Sequence, residues 1–171
     1  YSRQNTDYRH LYYSSMIDHA TMGRTAFTVD ETATLFSIDN GVQYDYEGKR
    51  IKNTLLMGLS YDRQTVDGQN GFDTGPSLDI NDPVYGIDVP SPPIYVDRRQ
   101  TVDQIGLYAQ TQTKFDDRWL LTLGGRQSWV EDKTHNRMPD EPSTKQSDNA
   151  FSGKVGLGYL FDNGLTPYIS Y

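Results

Sequence analysis

Hydrophobic and polar residues alternate one by one along several long stretches of the chain. In the clearest stretch, 36–46, one face carries Phe36, Ile38, Val42, Tyr44 and Tyr46, and the other carries Ser37, Asp39, Gly41, Gln43 and Asp45. A period of two is typical of a β-strand, because successive side chains of a strand point to opposite faces. The stretch therefore predicts a strand with one apolar face and one polar face.

The same alternation predicts about seven strands, and the connections between them alternate in length. The predicted strands are 1–13, 24–46, 51–66, 101–115, 119–131, 149–160 and 165–171. Long connections at 14–23, 67–98 and 134–148 alternate with short turns at 47–50, 116–118 and 161–164. Short turns on one side and long loops on the other are typical of an outer-membrane barrel. We therefore predict an all-β fold of antiparallel, up-and-down transmembrane barrel strands.

Aromatic residues flank each short turn and indicate a membrane interface there. The pairs are Tyr44 and Tyr46, Phe115 and Trp119, and Tyr159 and Phe161. Outer-membrane barrels carry aromatic girdles at their interfaces, although aromatic residues also close hairpin ends in soluble β-sandwiches. Predicted strands of about 12 to 16 residues exceed the 5 or 6 usual in globular sheets, which favours the barrel.

Composition narrows the classes of function. No run of about 18 apolar residues occurs, which excludes a membrane-spanning helix, and 13 tyrosines with 15 glycines favour strands. The chain has no cysteine, and its net charge of -7 argues against a nucleic-acid partner. No catalytic motif occurs, and the three histidines lack metal-ligand spacing, so we predict neither an enzyme nor a protein-built metal site.

The strand count indicates that more of the barrel lies outside this sequence. Bacterial barrels have an even number of strands, at least eight, because closure removes the sheet edges. Here the predicted strands number about seven, and the sequence begins and ends within a strand. We expect residues 1–171 to be part of a barrel domain.

Several strings resemble the central barrel of TonB-dependent ferric-siderophore receptors, nearest the ferrichrome and ferrioxamine (hydroxamate siderophore) group. They are TLLMGLSYDRQ from Thr54, NDPVYG from Asn81, IGLYAQTQTKFDDRWLLTLGGR from Ile105, LGGRQSW from Leu123 and LFDNGLTPYISY from Leu160. The resemblance implies a 22-stranded barrel in the bacterial outer membrane. It also implies a plug domain and remaining strands that are absent from this chain.

The resemblance further implies a receptor and transporter for high-affinity uptake of a ferric siderophore. Extracellular loops would capture the ligand, and TonB would drive transport through the plug region. Iron would arrive only as its hydroxamate chelate, with no cofactor bound by the protein directly. Outer-membrane lipid and lipopolysaccharide would surround the barrel. The alternatives are a porin-like barrel without a plug and a soluble β-sandwich used for binding or adhesion.

The resemblance also nominates ligand contacts. Counting along ungapped sequence after TLLMGLSYDRQ places Phe72 where this group has an aromatic residue that faces the siderophore. In the preceding long loop the group has two tyrosines that this chain lacks, so Asp18 and His19 become the predicted polar contacts, with Tyr13 just below them. The alternatives are packing of Phe72 within its own loop and a solvated surface loop around Asp18.

Charged residues of the longest predicted loop complete the candidates. Asp79, Asp82, Asp88 and Asp97 lack the spacing of a dedicated calcium loop, which favours solvated acids over a calcium site. Arg98 and Arg99 lie at the base of that loop, where lipopolysaccharide phosphates would be found. Ordinary surface arginines are the alternative.

Overall fold

The computed structural model describes residues 1–171 and consists of strands joined by turns and loops. Its strands are β1 (Ser2–Met16), β2 (Thr21–Glu47), β3 (Ile51–Asp79), β4 (Ile94–Phe115), β5 (Trp119–Asn136), β6 (Thr144–Tyr159) and β7 (Tyr168–Ser170). They form one sheet in which each strand neighbours the next, and the pairings of β1 with β2 and of β6 with β7 are antiparallel. The predicted all-β fold with seven strands is confirmed. No helix is long and apolar enough to cross a membrane.

The strands extend much further toward the long connections than the alternation predicts. β3 has 29 residues and ends at Asp79, so the connection predicted at 67–98 shortens to 80–93. The connection predicted at 14–23 shortens to 17–20 in the same way. Pairing with the next strand satisfies the backbone N–H and C=O groups even where the side chains carry no apolar pattern, which explains the extra length. The short turn at 116–118 is confirmed.

The chain divides into two compact units, and each is described by itself. Unit 1 comprises 1–35, 64–101 and 133–145, and unit 2 comprises 36–63, 102–132 and 146–171. The connections 17–20, 80–93 and 137–143 belong to unit 1, and the turns at 48–50 and 116–118 belong to unit 2.

Unit 2 exposes its large hydrophobic side chains. Most of the residues predicted for the apolar face are at least two-fifths exposed, including Phe36, Ile38, Val42, Leu59, Leu107, Leu123, Trp129 and Leu157. Across the whole chain, Ala26 in unit 1 is the one hydrophobic side chain that is buried, at 3% exposed. A soluble domain of this length buries a substantial apolar core, which this sheet does not have. The exposed face therefore requires an apolar environment supplied from outside the chain.

Ion pairs join neighbouring turns of unit 2. The turn at 116–118 places Asp116 and Asp117 in the left-handed region, with φ of 48° and 57°. Arg50, in the preceding turn, donates from Nε and Nη2 to the two Asp116 carboxylate oxygens at 2.6 Å each. The Asp116 N–H also donates to the Arg50 carbonyl at 2.8 Å. A side chain and a backbone bond thus fix this turn against its neighbour.

Aromatic rings pack beside the next turn. The ring centroids of Trp119 and Tyr159 are 4.7 Å apart, as are those of Tyr159 and Phe161, and both pairs have edge geometry. Arg118 pairs with the Asp162 carboxylate, its Nη2 lying 2.9 Å from Oδ2. Aromatic pairs of this kind contribute about 0.5–1.5 kcal/mol beyond the area that they bury. Trp119, Tyr159 and Phe161 therefore form ring contacts that join neighbouring hairpins.

A charge placed on the apolar face of unit 2 tests its environment. Leu107, which is 54% exposed, lies on this face. We expect Leu107→Arg to lower the free energy of unfolding in lipid vesicles by about 2–4 kcal/mol, because arginine is poorly tolerated against the bilayer centre. Gln112→Arg, on the polar face of the same strand, is the control. The full-length protein would be unfolded with denaturant, and equal effects of the two changes would contradict the assignment of the faces.

The Arg50–Asp116 pair predicts a dependence of stability on pH. Donation from Arg50 lowers the pKa of Asp116 below its usual 3.8. A lowered folded-state pKa means that the pair stabilises the fold above the unfolded-state pKa and that this contribution is lost as the pH falls through the folded value. We expect Arg50→Gln to reduce stability at pH 7 and to lose that effect progressively as the pH falls below 3.8 and through the lowered pKa of Asp116. Lys49→Gln removes the same charge from the same turn and should show no such pH dependence in denaturant unfolding.

Candidate functional site

The turn between β1 and β2 in unit 1 uses one of the predicted contacts for its own structure. The Asp18 carboxylate accepts hydrogen bonds from the backbone N–H groups of Ala20, at 2.8 Å, and Thr21, at 2.7 Å. These bonds, led by the one from Ala20, lower the pKa of Asp18. Side chains of aspartate commonly fold back on the backbone in this way in tight turns. His19, the next residue, is exposed at the tip.

Tyr13 lies just before this turn, near the end of β1. Its register partner on β2 is Arg24, and the register shifts between Tyr13 and Ser15. The Tyr13 side chain is 57% exposed. The shift introduces an irregularity where the strand approaches the turn, so Tyr13 is the last residue of β1 in the regular ladder.

Phe72 lies within β3 and not in a loop. Its N–H donates to the carbonyl of Pro93 at 3.1 Å, and its ring meets that of Tyr95 edge-on, with centroids 6.1 Å apart. The Phe72 side chain is 50% exposed. The paired strand fixes the backbone of Phe72 while one side of its ring stays available to a ligand.

The structure separates Phe72 from the turn that carries Asp18 and His19. That turn contacts the chain just beyond the end of β3, where the Ile80 N–H donates to the Ala20 carbonyl at 2.8 Å. Ile80 is eight residues beyond Phe72, which is about 26 Å along an extended strand. Phe72 therefore lies far along the strand from the turn that carries Asp18 and His19, and the structure does not bring these three predicted contacts together.

Arg24 fixes the upper part of β3, and the sequence did not single it out. Its side chain donates from Nε to the Pro76 carbonyl at 2.6 Å and from Nη2 to the Ser77 carbonyl at 3.3 Å. Arg24 is only 9% exposed, which is rare for a charged residue without a carboxylate partner. The guanidinium bonds replace the hydration of carbonyls that β3 presents after Gly75, so the end of this strand is held in place.

A cluster of rings lies along β1, and it was also missed. Tyr8, His10 and Tyr12 alternate along the strand; the His10 centroid is 4.6 Å from that of Tyr8 and 5.1 Å from that of Tyr12. Phe27 is the register partner of His10 on β2, and their rings meet edge-on at 5.6 Å. Aromatic residues at alternate positions of a strand were the available signal. We call these four residues the ring cluster.

The Tyr13 side of unit 1 carries a charged groove. Its charged lining residues are Arg3, Asp30, Asp67, Asp97, Arg99 and Arg137. Arg137 pairs through Nη2 with Asp67 and through Nε with Asp97, and these hydrogen bonds raise its pKa. The Arg137 N–H also donates to the Asp97 carbonyl at 2.8 Å. One arginine thereby joins β3, β4 and the end of β5.

The polar face of unit 2 combines small and large residues. Tyr108 donates to Asp39 at 2.7 Å, and Arg126 donates to Ser60 at 2.9 Å. A Cβ at Gly58 would collide with the Tyr108 ring, and one at Gly106 would collide with the Arg126 guanidinium. Gly58 and Gly106 therefore leave room for large polar side chains that lie against the sheet.

Two acidic residues that flank the 80–93 connection are bonded to neighbouring groups of the chain. Within residues 1–171, no three histidine, aspartate or glutamate side chains come together closely enough to hold an ion. The Asp79 carboxylate instead accepts a hydrogen bond from the Asn81 N–H at 2.9 Å. Asp97 is engaged by Arg137 and by Gln69.

Comparison with known proteins supports both the observed all-β fold and the resemblance carried by the sequence segments quoted above. The chain is 34% identical over 152 residues to the ferrichrome outer membrane transporter and phage receptor of Escherichia coli K12, covering 83% of this chain and 20% of that protein. It is 29% identical over 161 residues to the ferrioxamine B receptor of Salmonella typhimurium, covering 94% of this chain and 23% of the receptor. The chain thus spans about a quarter or less of these relatives.

A solved structure shows the same fold. The crystal structure of BauA, the ferric preacinetobactin receptor of Acinetobacter baumannii, matches with a TM-score of 0.65 at 20% identity, covering 98% of this chain and 26% of that one. At the level of families, residues 1–171 match the family described as TonB dependent receptor-like, beta-barrel. The predicted resemblance to ferrichrome and ferrioxamine receptors and the predicted outer-membrane location are confirmed. The chain belongs to the TonB-dependent receptor β-barrel family.

Proposed function

We propose that this chain is barrel wall in an outer-membrane receptor that imports a ferric hydroxamate siderophore. The observation that carries the proposal is the Phe72–Tyr95 ring pair, which is fixed on paired strands of unit 1 and half exposed. The sequence relatives that are 34% and 29% identical to this chain are named for ferrichrome and ferrioxamine B. Capture would occur in unit 1, which carries the long connection 80–93, and unit 2 would span the membrane through its exposed apolar face.

The chemistry of a ferric hydroxamate suits such a surface. The complex is compact and its periphery is largely apolar, so aromatic faces can pack against it while hydroxyl groups reach its oxygens. The iron needs no protein ligand because the chelator already surrounds it. The proposed role is therefore binding and transport, with no enzymatic step and no cofactor held by the protein.

Transport requires parts that lie outside these residues. In this proposal TonB acts through a plug domain, and the polar face of unit 2 provides the wall along which the ligand passes. Tyr108, Asp39 and Arg126 lie on that face and make hydrogen bonds within it. A porin-like barrel without a plug has no specific observation in its favour. A soluble β-sandwich is disfavoured because the single sheet lacks a buried core.

The charged groove of unit 1 is the proposed binding site for lipid phosphate groups. Arg99, which the sequence nominated for lipopolysaccharide phosphates, lines this groove together with Arg3 and Arg137. Arginine recognises phosphate through paired N–H donors. We include lipopolysaccharide of the outer leaflet among the proposed partners and assign it to this groove.

Removing the Phe72 ring tests the proposal. We expect Phe72→Ala in the complete receptor to weaken binding of ferrichrome or ferrioxamine B about tenfold, because the ring contact and its buried area are lost. Isothermal titration calorimetry of the detergent-solubilised receptor measures the affinity. Phe36→Ala removes a ring of similar exposure, 43% against 50% for Phe72, from the apolar face of unit 2 and should leave the affinity unchanged. Equal affinities of wild type and Phe72→Ala would contradict the assigned contact.

A further inference from the structure

The ring cluster on β1 and β2 is only partly covered by the chain itself. Tyr8 and Tyr12, which flank His10, stay 48% and 41% exposed. A cluster that served only to join the two strands would be expected to cover its rings, since burial is the source of most of the stabilisation by aromatic side chains. The two tyrosine rings instead present a surface on either side of the imidazole.

His10 contributes to this cluster as a ring. Its Nδ1 is buried and has no hydrogen-bond partner in the chain. Buried polar atoms in native proteins are nearly always paired, so the stability of the sheet alone does not explain an imidazole here. What the imidazole does provide is a flat spacer that contacts Tyr8, Tyr12 and Phe27 at once.

Strand register identifies the face on which the cluster lies. Tyr8, His10 and Tyr12 alternate along β1, and Phe27 is the register partner of His10 on β2. Alternate residues of a strand share a face, so the four rings lie on the same face of this hairpin. Tyr13 and the charged groove belong to the other face.

The cluster also lies beside the strand segment that carries Phe72. A Cβ at Gly71 would meet the Thr28 side chain, so Gly71 of β3 is next to Thr28 of β2. Phe27 is next to Thr28 in the chain, and Phe72 is next to Gly71, so each phenylalanine is one residue away from this contact. The ring cluster and the Phe72–Tyr95 pair are therefore on adjoining strands of unit 1.

We infer that the ring cluster is a second contact surface for the ferric hydroxamate, with Tyr8 and Tyr12 as its specificity-determining residues. Their rings pack against the methylene segments of the chelator, and their phenol O–H groups donate to its carbonyl or hydroxamate oxygens. His10 is a positioning residue that holds the two rings side by side. This inference rests on the proposed function and adds to it the surface of β1, which the sequence analysis did not nominate.

Substitutions in the complete receptor test separately the tyrosine rings, the tyrosine hydroxyl groups and the His10 spacer. Binding is measured with ferrioxamine B and ferrichrome as probes. We expect Tyr8→Leu and Tyr12→Leu each to weaken binding about tenfold, which corresponds to ~1.4 kcal/mol. Tyr12→Phe keeps the ring and should lose no more than about threefold. His10→Phe keeps the spacer and should bind as wild type, whereas His10→Ala should lose as much as the leucine variants. Arg9→Ala, on the opposite face of β1, is the matched control.

Chemical protection makes the test independent of the leucine variants. Because this chain has no cysteine, Tyr12→Cys introduces a single reactive thiol into it. We expect either siderophore to slow maleimide labelling of this thiol at least fivefold, and to leave labelling of Arg9→Cys unchanged. The inference is overturned if siderophore does not slow labelling of Tyr12→Cys, or if both leucine variants bind with full affinity. In either case, binding by the wild-type receptor leaves the proposed function standing. A folded wild-type receptor that binds neither probe overturns both.

Discussion

The absence of an apolar core is the constraint on which the rest of this structure depends. Ala26 is the one buried hydrophobic side chain, and the apolar face of unit 2 is open along its strands. Burial that a soluble domain achieves internally must come here from lipid. In lipid, each backbone donor and acceptor must also be paired across strands, because no water is present to bond to it. Long paired strands with an apolar face are a direct consequence.

Side-chain packing moves to the polar face as a result. Tyr108 lies over Gly58, and the Arg126 guanidinium lies over Gly106, so each large polar group has a glycine beneath it. These contacts keep the large side chains flat against the wall and pair their polar atoms with Asp39 and Ser60. In unit 1, guanidinium groups hold the strands together: Arg24 bonds carbonyls of β3, and Arg137 bonds two carboxylates.

Because guanidinium groups hold the strands of unit 1 together, its aromatic rings stay available for a ligand. The Phe72 ring contacts Tyr95, and the Tyr8 and Tyr12 rings contact His10, yet Phe72, Tyr8 and Tyr12 stay 50%, 48% and 41% exposed. All of these rings stand on paired strands, which hold a binding surface more precisely than a free loop does. Asp18, by contrast, already uses its carboxylate to close its own turn.

The sequence by itself determined the fold class, the two faces of 36–46 and the short turn at 116–118, because alternation is visible wherever one face is apolar. Only the tertiary structure decided that β3 continues to Asp79 and that Phe72 lies in a strand. There both faces carry polar residues, and the strand is held by backbone pairing and by distant partners such as Arg24. The ring cluster could not be predicted from the sequence either. Its central contact joins His10 of β1 to Phe27 of β2, and a local sequence pattern does not show which residues of two strands are paired.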